Sequence, residues 1–512
     1  MTDRRGFLKS GALVASAFVV PSALWQSARA SDGDWFFSLG VASGMPHATS
    51  VVIWTRLAPL GGGTFRAGFI GLRWEVADDE AFTQIVAKGN TTVDAGWGFS
   101  AHVEVEGLRP ERWYFYRFMK GDAISPVGRT RTAPASDEGK QLRFILGSCQ
   151  NYQHGYFSAL DHARMESPDL MVWVGDYIYE YGSRKNSVRQ HPDGECFTLG
   201  DYRRRYELYK REAPLQRLHA ACPWLVTWDD HEVANDYAND RAEDLSQPDF
   251  LARRAAAYQA WYEHMPVRNS LRPAGPNATV YGALDFGALA RFHVMDDRQY
   301  RSYQPCPPAG HGGSSTVGPE CTERLRSDVT MLGGAQEAWL RNSLADSPAR
   351  WNILTQQTLM CYLDQDPAAG GRFWTDGWNG YPAARDRLLN DIVASKVSNP
   401  VVLGGDVHAH YVDELRLGPR GDGTLVAPEF CGTSITSRGA WGQDKADRIA
   451  AYNPHVKYSR VDKRGYISFT VGPDKLRADL RAIDNAESPT TTLSTLCSFE
   501  VKAGSPELVR VG

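Results

Sequence analysis

Neither sign of charge dominates this sequence: 56 Lys and Arg stand against 60 Asp and Glu, a formal net charge of −4 over 512 residues. That balance excludes the basic footprint of a nucleic-acid binder and the polybasic patch of a membrane-surface protein. Also missing is any apolar run of the roughly 20 residues that a spanning helix needs, so no permanent membrane anchor is expected. There is no internal repeat and no low-complexity tract. What the chain does have is 42% hydrophobic and 11% aromatic content, which supports a large core in a globular protein of two domains, or three.

The N-terminus reads as a targeting segment. A charged start, "TDRRGFLKS", precedes the short apolar "GALVASAFVVPSALW", and "SARA" offers an A-x-A cleavage site. Arg4 and Arg5, followed by Phe7, Leu8 and Lys9, resemble the twin-arginine export signal, with Asp3 where that pattern prefers Ser or Thr. An ordinary secretory signal with two arginines is the alternative. Residues 1–30 are thus expected to be cleaved near Ala30, leaving a mature chain that is exported, periplasmic or extracellular. Its implied partner is the twin-arginine machinery, which moves folded proteins, often with a cofactor in place.

The eight cysteines would lie where disulfides persist. Cys306 and Cys321 flank the Gly/Pro-rich "PPAGHGGSSTVGPE" and form the expected bridge. The pairing of Cys196, Cys222, Cys361, Cys431 and Cys497 is open; if Cys149 has other work, at least one of the remaining seven stays free.

Two rhythms divide the rest. Over 36–133, short segments with partial alternation ("SLGVASG", "SVVIWTRL", "GLRWEVAD", "AHVEVEGL", "RWYFYRFM") predict a small all-β sandwich, closed by the polar linker "TAPASDEGKQ". Over 140–512, apolar runs ("LRFILGSC", "DLMVWVGD", "PWLVTWDD", "LARFHVMD", "WNILTQQ", "NPVVLGGDVH", "GYISFTVG") alternate with helical stretches such as "TLGDYRRRYELYKR" and "DFLARRAAAYQAWYEH". Strands buried on both faces with helices between them predict an α/β domain, closed by the strand-rich "LRADLRAI" and "TLCSFEV".

Four of the apolar runs end in a potential metal ligand: Cys149, Asp176, Asp230 and Asp406, with Tyr179, His231 and His408 close behind. Ligands bind beyond the carboxyl ends of strands in such sheets. Taken singly, each residue has an ordinary reading: Cys149 as a small buried apolar residue, Asp176 as a helix cap, Tyr179 as packing, Asp229 and Asp230 as a capping pair, His408 and His410 as strand residues facing solvent. Together they would crowd thiolate, carboxylate, phenolate and imidazole into one pocket, which calls for a cation.

These motifs carry a resemblance. "GDYIY" is similar to the G-D-x-x-Y element of purple acid phosphatases, and "DDHE" and "GDVHAH" are similar to metallophosphoesterase elements. With "GVASG", "GSCQ", "WDDHE", "MDDRQYR" and "LGGDVH", nearly the whole mature chain resembles the PhoD-like alkaline phosphatases. The resemblance implies a metallophosphoesterase-type sheet sandwich flanked by helices. It also implies a ferric ion held by Cys149, Asp176, Tyr179 and His408, and Ca²⁺ held by Asp176, Asp230 and Asp406, with Asp176 as the bridge. Carboxylates in the second position make a hard, all-oxygen site, which suits Ca²⁺.

The implied reaction is hydrolysis of phosphate esters by a metal-activated hydroxide, with no covalent side-chain nucleophile. His231 is the expected acid for the leaving alkoxide, with orientation of a carboxylate as its other reading. Arg298 either binds substrate charge or pairs structurally with Asp296 or Asp297. Asn235 and Asp236 are candidates for a further calcium. The first expectation is an alkaline phosphatase acting on monoesters. Phosphodiester or phospholipase D-like hydrolysis is the near alternative, and an exported binding protein with a structural metal the remote one. Trp374, Trp378, Tyr381 and Trp441 are open between pocket lining and loop packing.

Overall fold

The computed structural model describes residues 37–58, 68–247 and 249–512; the expected signal segment at 1–30 lies outside the described residues. Two large sheets carry the catalytic part. The strands Leu142–Gly147, Leu170–Val174 and Pro223–Thr227 run parallel at the centre of a ten-stranded sheet. Arg464–Val471, Lys475–Ile483 and Leu493–Lys502 extend it antiparallel on one side. The second sheet has seven strands, with Ala290–Val294, Trp351–Thr355, Pro400–Gly404 and Leu425–Cys431 parallel in its middle.

The apolar runs explain this layering. Leu170–Val174, Pro223–Thr227 and Trp351–Thr355 are buried at every position, as strands covered on both faces must be. Phe144, Leu146, Val172 and Leu225 of one sheet pack with Phe292, Ile353, Val401 and Leu403 of the other in a single core. The outer face of the ten-stranded sheet is covered by helices, including Leu199–Lys210 and Phe250–His264. The first of these starts at a capping box between Thr198 and Asp201 and buries Tyr202, Tyr206 and Tyr209 along one side, the spacing of one helical face.

The β-rich N-terminal segment forms a sandwich whose core joins Val41, Val51, Ile53 and Val103 to Leu72, Val76, Tyr114 and Phe118. It is not a detached bead. Val41–Gly44 pairs in parallel with Pro223–Thr227, so one layer of the sandwich continues the ten-stranded sheet. Cys306 and Cys321 are disulfide-bonded as expected, and the other six cysteines are free and buried. Among the described residues, no helix is long and apolar enough to cross a membrane.

Candidate metal centre

Cys149, Asp176 and Asp230 follow the three central strands of the ten-stranded sheet, whereas Asp406 and His408 follow Pro400–Gly404 of the other. The centre therefore sits between the carboxyl ends of two facing sheets. The chain turns abruptly at each end: φ is 59° at Cys149, 54° at Asp176, 64° at Asp406 and 53° at His408. Left-handed backbone at a non-glycine residue costs about 1–3 kcal/mol and concentrates at functional sites. Gly175 is required in the same turn, because its φ is +102° and a Cβ there would lie 2.3 Å from the Cβ of Asp229.

Three ligand-competent groups share Asp176, and two of them frame the centre. In the first, Cys149, Asp176 and His408 bring a sulfur, a carboxylate oxygen and a ring nitrogen within 4.8 Å of one another. The Tyr179 hydroxyl lies among them, donating to Asp176 Oδ2 at 2.7 Å and sitting 3.1 Å from His408 Nε2. His408 Nδ1 is 2.9 Å from the Arg438 carbonyl, so Nδ1 carries the proton and Nε2 turns its lone pair to the centre. In the second group, oxygens of Asp176, Asp229, Asp230 and Asp406 lie within the same 4.8 Å.

The donor set fits a pair of cations. Asp176 Oδ1, Asp229 Oδ2, Asp230 Oδ1 and Asp406 Oδ2 are buried and accept no hydrogen bond, an arrangement that is costly without a compensating charge. Burial, and then neighbouring carboxylates, push Asp229 and Asp406 well above the usual carboxylate range even though Arg298 opposes the shift. Burial and Asp176 likewise raise the Cys149 thiol and the Tyr179 phenol. A cation reverses that balance and ionises sulfur and phenol alike. Thiolate and phenolate suit a Lewis-acidic ion, and the four carboxylates suit a hard one.

Arg298 is fully buried and pairs with neither Asp296 nor Asp297 through its side chain. Its Nε donates to Asp229 and its Nη1 donates to Asp376 at 2.5 Å, while Nη2 stands 3.7 Å from Asp230 and 3.6 Å from Asp406. Arg298 thus ties Asp229 to Asp376 and turns its unpartnered Nη2 toward Asp230 and Asp406. His231 faces the cavity. Its Nδ1 is 2.7 Å from Glu180 Oε2, which leaves Nε2 as the open nitrogen. Burial alone would lower its pKa, but Glu180, Asp230 and Asp176 together push it well above the ordinary histidine value. His231 also forms a ligand-competent trio with Asp176 and Asp230, so the second group has an imidazole within reach.

Several supporting residues escape the sequence reading. Glu232 accepts from the backbone N–H groups of Asp176 at 3.0 Å, of Asp229 at 2.6 Å and of Tyr177, tying two strand ends together. Ser437 lies 2.6 Å from the Tyr179 hydroxyl and donates to the Cys149 carbonyl. Buried Arg205 donates to the carbonyls of Tyr179, Tyr181 and Gly194. The doublet in "DDHE" was a signal for Asp229; Asp376 and Ser437 carry none.

Of the other candidates, Asn235 donates to Glu243, and Asp236 accepts from Ser314 while its own N–H donates to Asp230. His410 is buried and turned to the Arg481 carbonyl, not to solvent. Trp374 and Trp441 line a cavity of about 260 Å³ with Asp230, His231, Asp406 and His408. Trp378 and Tyr381 pack instead, hydrogen-bonded to Gln356 and to the Ser302 carbonyl.

Two family models match in tandem: the PhoD-like phosphatase N-terminal domain over residues 23–134 and the PhoD-like phosphatase over residues 144–480. The chain belongs to the PhoD-like phosphatase family. It is 42% identical to alkaline phosphatase D of Bacillus subtilis (strain 168) over 97% of its own length and 87% of that protein. A solved structure of PhoD superposes with a TM-score of 0.88 at 42% identity, covering 93% of this chain and 92% of that one. A purple acid phosphatase from yellow lupin (Lupinus luteus) seeds shares the fold, with a TM-score of 0.52 at 11% identity over 90% of this chain and 74% of that one. The protein is accordingly a metal-dependent phosphoester hydrolase, and the non-catalytic reading falls away.

Proposed function

We propose that the protein is an exported alkaline phosphatase that cleaves phosphate monoesters at an Fe(III)–Ca²⁺ centre. The observation that carries the reading is Asp176, which belongs to both ligand groups and keeps a buried oxygen unpartnered. Cys149, Asp176, Tyr179 and His408 would hold the ferric ion; Asp176, Asp230 and Asp406 would hold calcium. The similarity to alkaline phosphatase D supports the activity, and the Arg4–Arg5 pattern supports export.

When bound, the two cations supply charge for a phosphoryl group and lower the pKa of water. The chain's own part is holding and proton transfer. Arg298 keeps Asp229 fixed and Asp376 behind it. His231, protonated with the help of Glu180, places the Nε2 proton at the leaving ester oxygen. The apolar walls of the cavity exclude water from the ester group.

Those walls also favour a second reading. Leu359, Trp374, Tyr411, Trp441 and Val461 line the cavity beside the acidic ligands, and such a surface accommodates the second ester group of a phosphodiester. Rates on a chromogenic monoester and its diester analogue, measured on mature protein supplied with iron and calcium, test both. A strong monoester preference supports the phosphatase; a diester preference keeps the centre and changes the substrate class.

A further inference from the structure

A further group of ligand-competent side chains lies apart from Asp176, near the loop that carries Asp406 and His408. Asp413, on His410–Arg416, and Glu429, on Leu425–Cys431, stand directly opposite each other in antiparallel register. Both are fully buried, and like charges so placed repel. Cys361 completes the cluster: its sulfur and one oxygen from each acid lie within 4.8 Å of one another.

The cluster is built on one side and unsatisfied on the other. Glu429 is clamped by the backbone N–H groups of Met360 at 2.7 Å and Cys361 at 2.8 Å, one on each oxygen, so each oxygen keeps a lone pair free. Neither oxygen of Asp413 has a hydrogen bond of proper geometry, although the Cys361 thiol is close enough to lower its pKa. Burial still drives Asp413 well above the carboxylate range and Glu429 to about 8. The nearby cation is Arg385, whose charge acts on Cys361 and Glu429. Ionised together, the thiol and the two carboxyls would carry three negative charges, and Arg385, whose Nη2 stands 3.6 Å from Asp386, makes no hydrogen bond or ion pair with any of the three among the described residues. Cys431, next along the same face, donates its thiol to the Gly405 carbonyl at 3.1 Å and so is already engaged.

We propose that Cys361, Asp413 and Glu429 form a separate structural site for a divalent cation of the zinc class. One sulfur with two carboxylate oxygens supplies three of the four tetrahedral ligands zinc takes, whereas calcium seeks six to eight oxygens. The site would steady the start of the loop that carries Asp406 and His408, since the Glu429 strand is tied to it where Gly404 pairs with Cys431 and Gly405 accepts the Cys431 thiol. Asp406 follows immediately.

The test uses the full chain expressed with zinc and then exchanged into cadmium, in a Cys149→Ser background that removes the thiolate of the catalytic centre. The ultraviolet thiolate-to-cadmium band is expected at one equivalent per chain. It should vanish with Cys361→Ser, and apparent affinity should fall at least tenfold with Asp413→Asn. Should Cys361→Ser not fold, Cys361→Asp keeps an anionic ligand and should retain zinc without the band. Absence of the band in the Cys149→Ser protein, or a band indifferent to Cys361, overturns the proposal. So does an Asp413→Asn protein that loses no metal and is as stable as its parent, which would make the cluster a pair of acids sharing a proton.

Discussion

Glu232 is the residue whose loss tests most sharply how the centre is assembled. Its carboxylate accepts three buried backbone N–H groups: Oε2 takes those of Asp176 and Asp229, and Oε1 takes that of Tyr177. Leaving a buried donor unpaired costs about 1–3 kcal/mol. Glu232→Gln can keep its carbonyl on Asp176 and Asp229, turning its amide toward Tyr177, so a loss of about 1–3 kcal/mol is expected. Glu232→Ala strands all three, and the loss should exceed about 3 kcal/mol, a large part of a total stability that is on the order of 5–15 kcal/mol. The same change frees Asp176 from its left-handed turn, so metal content should fall with stability. Denaturant unfolding beside elemental analysis of wild type, Glu232→Gln and Glu232→Ala checks the order. An alanine variant within about 1 kcal/mol of wild type, with metals intact, would refute the reasoning.

Tyr179→Phe should remove any phenolate-to-iron visible band while the fold survives; an unchanged band in the purified variant would reject Tyr179 as a ligand. Glu180→Gln deletes a negative charge beside His231, whose pKa is raised above its ordinary value despite burial by Glu180, Asp230 and Asp176. The variant's His231 pKa must fall, so if its protonated form is the acid, the alkaline limb of the kcat profile should move to lower pH. A limb that stays in place would remove His231 from that role. Exhaustive chelation of calcium should suppress turnover and its return restore it; full activity without calcium would displace Ca²⁺ from the second site.

Much of this was legible in the chain because fully buried parallel strands have a plain signature. "LMVWV" and "VVLGG" are apolar without alternation, and each brings a ligand-competent carboxylate to the crevice at its end. His410–Arg416 and Leu425–Cys431 were not legible. "HYVDELR" and "LVAPEFC" put Asp413 and Glu429 at buried positions, which breaks the apolar pattern that marks a strand. Arg298 reads locally as a partner of the adjacent acids in "MDDRQYR", yet its guanidinium reaches Asp229 and Asp376, 69 and 78 residues away. Such pairings belong to the facing of two sheets, not to local spacing. Ser437 escaped for the same reason: it meets Cys149 and Tyr179 across 288 and 258 residues.

The most direct test of the account is the metal content and turnover of Asp176→Ala beside wild type, measured on protein loaded with iron and calcium. Because one carboxylate serves both ligand groups, both metals should be lost together and hydrolysis abolished. A folded Asp176→Ala protein that keeps both metals and its full rate would contradict the shared centre.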